Sequence, residues 1–93
     1  MDIVAILTML MPLVLQVINK PTDTPEQKAE MLAIGNDMLA IGISAELPIF
    51  RLCGQFVICA SKADEAGKAK LMAIAAGVDR MAQAQAERAS KGA

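Results

Sequence analysis

Met1 to Ile18 (MDIVAILTMLMPLVLQVI) is apolar on every side, with Asp2 its only charge and Thr8, Pro12 and Gln16 its only other breaks. A helix of that kind leaves no stripe for water, so it is expected inside protein or inside lipid. The run predicts a first helix over about residues 2–19. Asp2 suits its N-terminus and Lys20 its C-terminus by the dipole rule. Pro12 removes one backbone hydrogen bond and crowds the carbonyl four residues back, so a kink is expected there.

A turn follows at Asn19–Thr24 (NKPTDT). Thr24 then reads as an N-cap, with Pro25 at the first helical position and Gln27 completing a capping box. The second helix is expected over 25–46, and it holds the one internal repeat. MLAIG occurs at Met31–Gly35 and again at Met38–Gly42. The period of seven stacks Met31 over Met38, Ile34 over Ile41 and Gly35 over Gly42, a heptad seam flanked by small residues. Glycine within a helix costs about 1 kcal/mol relative to alanine. Two glycines in register therefore point to a second backbone that comes close. A chance duplication, or a turn at Gly35-Asn36-Asp37, are the competing explanations.

Pro48 ends or kinks this helix, because the residue before a proline is pushed out of the α region. Residues 49–60 (IFRLCGQFVICA) fit either period: their even positions form an apolar strand face, whereas helical spacing puts Arg51 and Gln55 on one polar strip. With no second strand-like segment to pair with, helix is the better reading. Ser61 and Asp64 form another capping-box-like pair, and residues 62–90 turn to Ala, Lys, Glu and Gln, all strong helix formers. Leu71, Ile74, Val78 and Met81 make a narrow stripe there, with Ala75 and Ala82 beside it. The expected fold is all-α, a small helical hairpin or bundle of three to four helices (about 2–19, 25–46, 49–60 and 62–90). It is kinked at Pro12 and Pro48 and packed in an oligomer. Residues 1–93 form one domain, self-associating and apolar over 1–60, Ala-rich and amphipathic over 61–93.

Composition sharpens this picture. Hydrophobic residues make up 55% of the 93, and with glycine added they exceed the usual ~45–50%. So small a domain hides only about 60–65% of its unfolded surface, which leaves more apolar area than a monomer can cover. Helix–helix and oligomer contacts are therefore expected at Met31, Ile34, Gly35, Met38, Ile41, Gly42, Leu71, Ile74, Val78 and Met81. Glu46 and Arg51 are charges within apolar stretches and are expected as a buried ion pair, since buried charge needs a partner.

The net charge is −1, with acidic and basic residues interspersed and no His, Trp or Tyr. Without a basic block to neutralise phosphates, nucleic-acid binding is not expected. The missing His removes the commonest general base and metal ligand. No nucleophile, base and oxyanion site assembles, so no catalytic residue, cofactor or metal site is expected. Cys53 and Cys59 lie about 9 Å apart along a helix, too far for an easy disulfide, and read as reduced, buried thiols in a reducing compartment or an assembled particle. The start lacks a positive n-region and an A-x-A site, so secretion by a cleaved signal peptide is not expected.

Two functions fit these features. The first is a non-enzymatic structural or assembly subunit, packing with copies of itself or with other subunits into a ring, tube, filament or virion-type particle. The second is a small integral membrane protein with one or two spans, in which residues 3–18 contact the lipid bilayer. Two hydrophobic segments followed by a charged tail resemble the layout of phage holins, in architecture alone and with no shared residue motif.

Overall fold

The computed structural model describes residues 2–92. Four helices account for almost all of them: α1 (Ile3–Ile18), α2 (Pro25–Ser44), α3 (Pro48–Lys62) and α4 (Glu65–Gly92). The segment that fitted both periods is helical, as its lack of a pairing strand implied. Asp2 caps α1 by accepting from the Val4 N–H at 3.2 Å. Pro12 falls within α1. The capping box at α2 is complete: Thr24 Oγ1 accepts from the Gln27 N–H at 3.1 Å, and Gln27 Oε1 accepts from the Thr24 N–H at 3.1 Å.

The α2–α3 turn is short and strained. The Leu47 N–H donates to the Gly42 carbonyl at 2.8 Å and the Glu46 N–H to that of Ile43 at 3.3 Å, the paired bonds of a Schellman stop. Its left-handed position is held by Glu46, with φ 54°, where glycine is usual. This stop ends α2 at Ser44, two residues before the expected boundary. Pro48 then opens α3 at its first position, where a missing N–H costs nothing. Glu46→Gly removes a left-handed strain of about 1–2 kcal/mol and adds unfolded-state freedom of opposite sign, so a net gain of about 0.5–1 kcal/mol is expected in urea unfolding.

At the next junction Ser61 is not the cap. It is buried and donates to the Ile58 carbonyl within α3, which runs on to Lys62. Asp64 caps α4 instead, its Oδ1 accepting from the Gly67 N–H at 2.7 Å. A short carboxylate side chain three residues before that N–H meets the capping requirement without Ser61.

The helices pair as α2 with α3 and α1 with α4, and α3 joins the two pairs by also meeting α1 and, more lightly, α4. The core sits at that junction. Val14 and Ile18 of α1, Val57 and Ala60 of α3, and Ala75 of α4 are all but sealed from solvent. α4 runs back along α1, for the Lys68 amine donates to the Lys20 carbonyl and, at 3.3 Å, to Thr22 Oγ1. These bonds satisfy a buried lysine and fasten the α1–α2 loop to α4. With 28 residues against 16, α4 is about 18 Å longer than α1. From Gln83 to Lys91 it is exposed apart from a half-buried Ala86.

The result is a plate of 49 × 30 × 14 Å. Its radius of gyration is 14.0 Å, against about 12.3 Å for a compact domain of this length. Its accessible surface is 5988 Å², against about 5,200 Å² for a folded monomer of its mass.

Candidate functional site

The glycine repeat is where backbones meet, and the second backbone is α3 of the same chain. A Cβ built on Gly42 would stand 2.5 Å from the Arg51 nitrogen and 2.9 Å from its Cα. One on Gly54 would stand 2.6 Å from the Leu39 nitrogen and 2.9 Å from the Gly35 oxygen. One on Gly35 would meet the Ile58 side chain at 2.7 Å and the Gly54 oxygen at 3.1 Å. Gly35, Gly42 and Gly54 thus form one interlocked contact. Gly54 was not singled out from sequence, since nothing in its own helix repeats it.

This packing sorts the expected contact residues. Met31, Gly35 and Gly42 are buried and Ile34 and Met38 half-buried, but Ile41 is exposed. The close glycine approach centres α3 over the Met31–Gly35–Met38–Gly42 line, and Ile41 falls on its flank. On α4 the same sorting recurs: Leu71 and Val78 are half-buried, whereas Ile74 and Met81 are exposed, Met81 by 65%. Ala75 and Ala82 hold the buried line instead. Large side chains on α1 meet small ones on α4, so the alanines take the centre of the seam and the bulkier neighbours flank it. Glu46 and Arg51 are both exposed, so the expected buried ion pair is not present within the chain. Glu46 occupies the turn, and Arg51 faces water beside the Gly42 contact.

The two thiols part company as well. Both are free, Cys53 buried and Cys59 exposed. Burial pushes the Cys53 thiol up from its ordinary value. A raised thiol pKa means that the native state keeps its proton where the unfolded state loses it. The associated stability is therefore complete below the thiol's ordinary value and declines as pH rises above it. At neutral pH iodoacetamide is expected to add one label per native chain, at Cys59, and a second only in denaturant. Intact mass before and after unfolding reads this directly, and rapid double labelling of the native chain would refute it.

Surface apolarity is concentrated on three clefts. One of about 200 Å³ lies among α1, α3 and α4 and is lined by Leu7, Met11, Leu52, Cys53, Phe56, Ile74 and Val78. Two others share Ile6 and Phe50: a cleft of about 310 Å³ between Ile3 and Leu47–Ile49, and one of about 300 Å³ along Met9, Leu10 and Leu13. Both lie where α1 meets the start of α3. Met9 is 74% exposed there and Leu13 55%. A more polar hollow of about 350 Å³ lies by the Lys68 clamp, between Asn19–Asp23 and the start of α4. One carboxylate oxygen of Asp79 is buried without a hydrogen-bond partner among the described residues.

No group of three or more potential metal-ligating residues occurs among the described residues. No described helix is long and apolar enough to cross a membrane. Searches against protein-family models, characterised proteins and solved structures find no significant match to this chain.

Proposed function

We propose that this chain is a non-enzymatic assembly subunit, a helical plate that acts by packing against other subunits of a larger particle. One observation carries the reading. The folded chain exposes 5988 Å², about 800 Å² more than a monomer of its mass is expected to show. That excess is close to one partner's share of a standard protein–protein interface, about 800 Å². Much of it is oily: Met9, Leu13, Ile41, Ile43, Leu52, Ile74 and Met81 all stand more than half exposed. Burying such area supplies about 25 cal/mol per Å² before the costs of association.

Sedimentation of the purified chain in buffer without detergent tests the proposal. A species well above the 9.8 kDa chain mass is expected. A compact, fully helical monomer at every concentration would refute it. Material recovered only from membranes with detergent would favour a lipid-embedded protein instead.

A further inference from the structure

The outer face of α1 has the form of a seam made for its own copy. Residues 2, 6, 9, 13, 16 and 20 follow one another at alternating spacings of four and three, the heptad rhythm of helix pairing. They are Asp2, the N-cap, then Ile6, Met9, Leu13 and Gln16 on the helix, and Lys20, just past the Asn19 C-cap; Ile6 is half-buried and the rest are exposed. The inward seam of α1, through Leu7, Met11, Val14 and Ile18, is already covered by the rest of the chain. The second seam is apolar in its middle, acidic at one end and basic at the other.

We propose that two copies of this chain associate through α1 in antiparallel register, Met9 of each against Leu13 of the other and Asp2 of each beside Lys20 of the other. The inference rests on the assembly reading above and names its contact. Charge decides the direction. An antiparallel pair sets opposite charges together at both ends, whereas a parallel pair would set Asp2 against Asp2 and Lys20 against Lys20. The helix dipoles also favour the antiparallel arrangement. Register follows from the spacing: when Asp2 lies opposite Lys20, Met9 falls opposite Leu13 and Ile6 opposite Gln16. The helical part of the seam, from Ile6 to Gln16, is about 15 Å long. Beside it runs the cleft of about 300 Å³ bounded by Phe50, which receives the flexible Met9 side chain of the other copy. A two-fold axis makes the contact isologous, so each copy supplies both protrusion and cleft. Met9 and Leu13, at the centre of the seam, are 74% and 55% exposed, so the pair covers part of the apolar area that the single chain leaves open.

Sedimentation of the full chain and of four variants tests this. Leu13→Lys places a charge at the centre of the seam, and pairing is expected to weaken by about thirty-fold or more. Met9→Lys, at a still more exposed position, gives the same result, and circular dichroism shows unchanged helicity in both. Lys20→Glu sets like charges together at both ends and weakens pairing by about ten-fold. Adding Asp2→Asn to Lys20→Glu keeps the cap acceptor, removes the repulsion and recovers most of that loss.

A wild-type chain that stays at 9.8 kDa sinks this pairing and the assembly reading together. An assembled wild type whose mass neither Leu13→Lys nor Met9→Lys alters sinks the pairing alone. A Lys20→Glu defect that Asp2→Asn leaves in place overturns the antiparallel register. Wild-type chain that leaves the monomer only on phosphatidylglycerol vesicles gives the face to lipid and overturns the proposal too.

Discussion

Gly54→Ala is expected to lower the unfolding free energy by about 2–3 kcal/mol, although alanine is the better helix former by about 1 kcal/mol. The added methyl would lie 2.6 Å from the Leu39 nitrogen and 2.9 Å from both its Cα and the Gly35 oxygen. Those neighbours are backbone atoms of a regular helix and have no rotamer to escape into. The chain must part α2 from α3, loosening the contacts of Met31 and Met38 along the same line. Gly42→Ala meets the Arg51 backbone at 2.5 Å and should behave alike. Gly77→Ala is the control. Its methyl would find only the tip of Arg80, at 3.9 Å, so helix propensity acts alone and a gain of up to about 1 kcal/mol is expected. Urea unfolding of the variants reads the opposite signs, and a shift of 1 kcal/mol moves Tm by about 4–8 °C in a domain of this size. Equal and favourable effects at positions 54 and 77 would show that α2 and α3 are not in close contact. Because this contact lies within one chain, the substitution tests the fold and leaves the question of assembly to the outer face of α1.

The same contact shows what the sequence could reveal. The heptad repeat of MLAIG marked Gly35 and Gly42 as sites of close approach, because glycine inside a helix is costly and two in register require a reason. Which backbone fills the space depends on tertiary geometry, and a repeat in one helix does not identify its partner. Here the three-residue turn ended by Glu46 and Leu47 folds α3 back onto the repeat. That turn also explains the fate of the charges. Glu46 holds a left-handed position that keeps it at the surface, so proximity to Arg51 in sequence carried no burial. Capping was legible at Thr24, where both halves of the box had to be satisfied by named side chains. It is ambiguous at Ser61, whose hydroxyl bonds back into its own helix.

Candidate surfaces were the least legible part, for a physical reason. A helix that is apolar all round gives no phase from which to tell its inner face from its outer one. Only the packing of Val14 and Ile18 under α3 and α4 fixes α1 and leaves the line from Asp2 to Lys20 outside. On α4 the large residues form a stripe, and within the chain the alanines beside it are the buried ones. The closest approach between helices is set by the smallest side chains, while burial estimates from sequence follow the largest. The exposed Ile74 and Met81 consequently belong with Met9 and Leu13 to the unburied area that the proposed function must account for.

Ile18→Ala tests the opposite end of the architecture and is expected to cost about 2–5 kcal/mol. Ile18 has no exposed surface, and it belongs to the cluster that joins the two helix pairs. It also lines the hollow beside the Lys68 clamp, next to Met72. Removing its outer carbons loses their transfer free energy and leaves a void that the surrounding helices cannot fully close. Collapse is restricted there because Lys68 already ties the loop after α1 to α4 through the Lys20 carbonyl and Thr22. A loss near the upper part of that range is therefore expected. In a domain whose total stability is about 5–10 kcal/mol, such a loss brings a sizeable unfolded fraction at 37 °C. Loss of cooperative melting at constant subunit concentration would carry the result. A cost below about 1 kcal/mol would mean that α1 does not pack on α4 through this face, and the outward seam from Asp2 to Lys20 would lose its reference. Leu13→Lys, on the far side of the same helix, should leave monomer helicity intact. The pair of substitutions thus separates the face that holds the chain together from the face that holds two chains together.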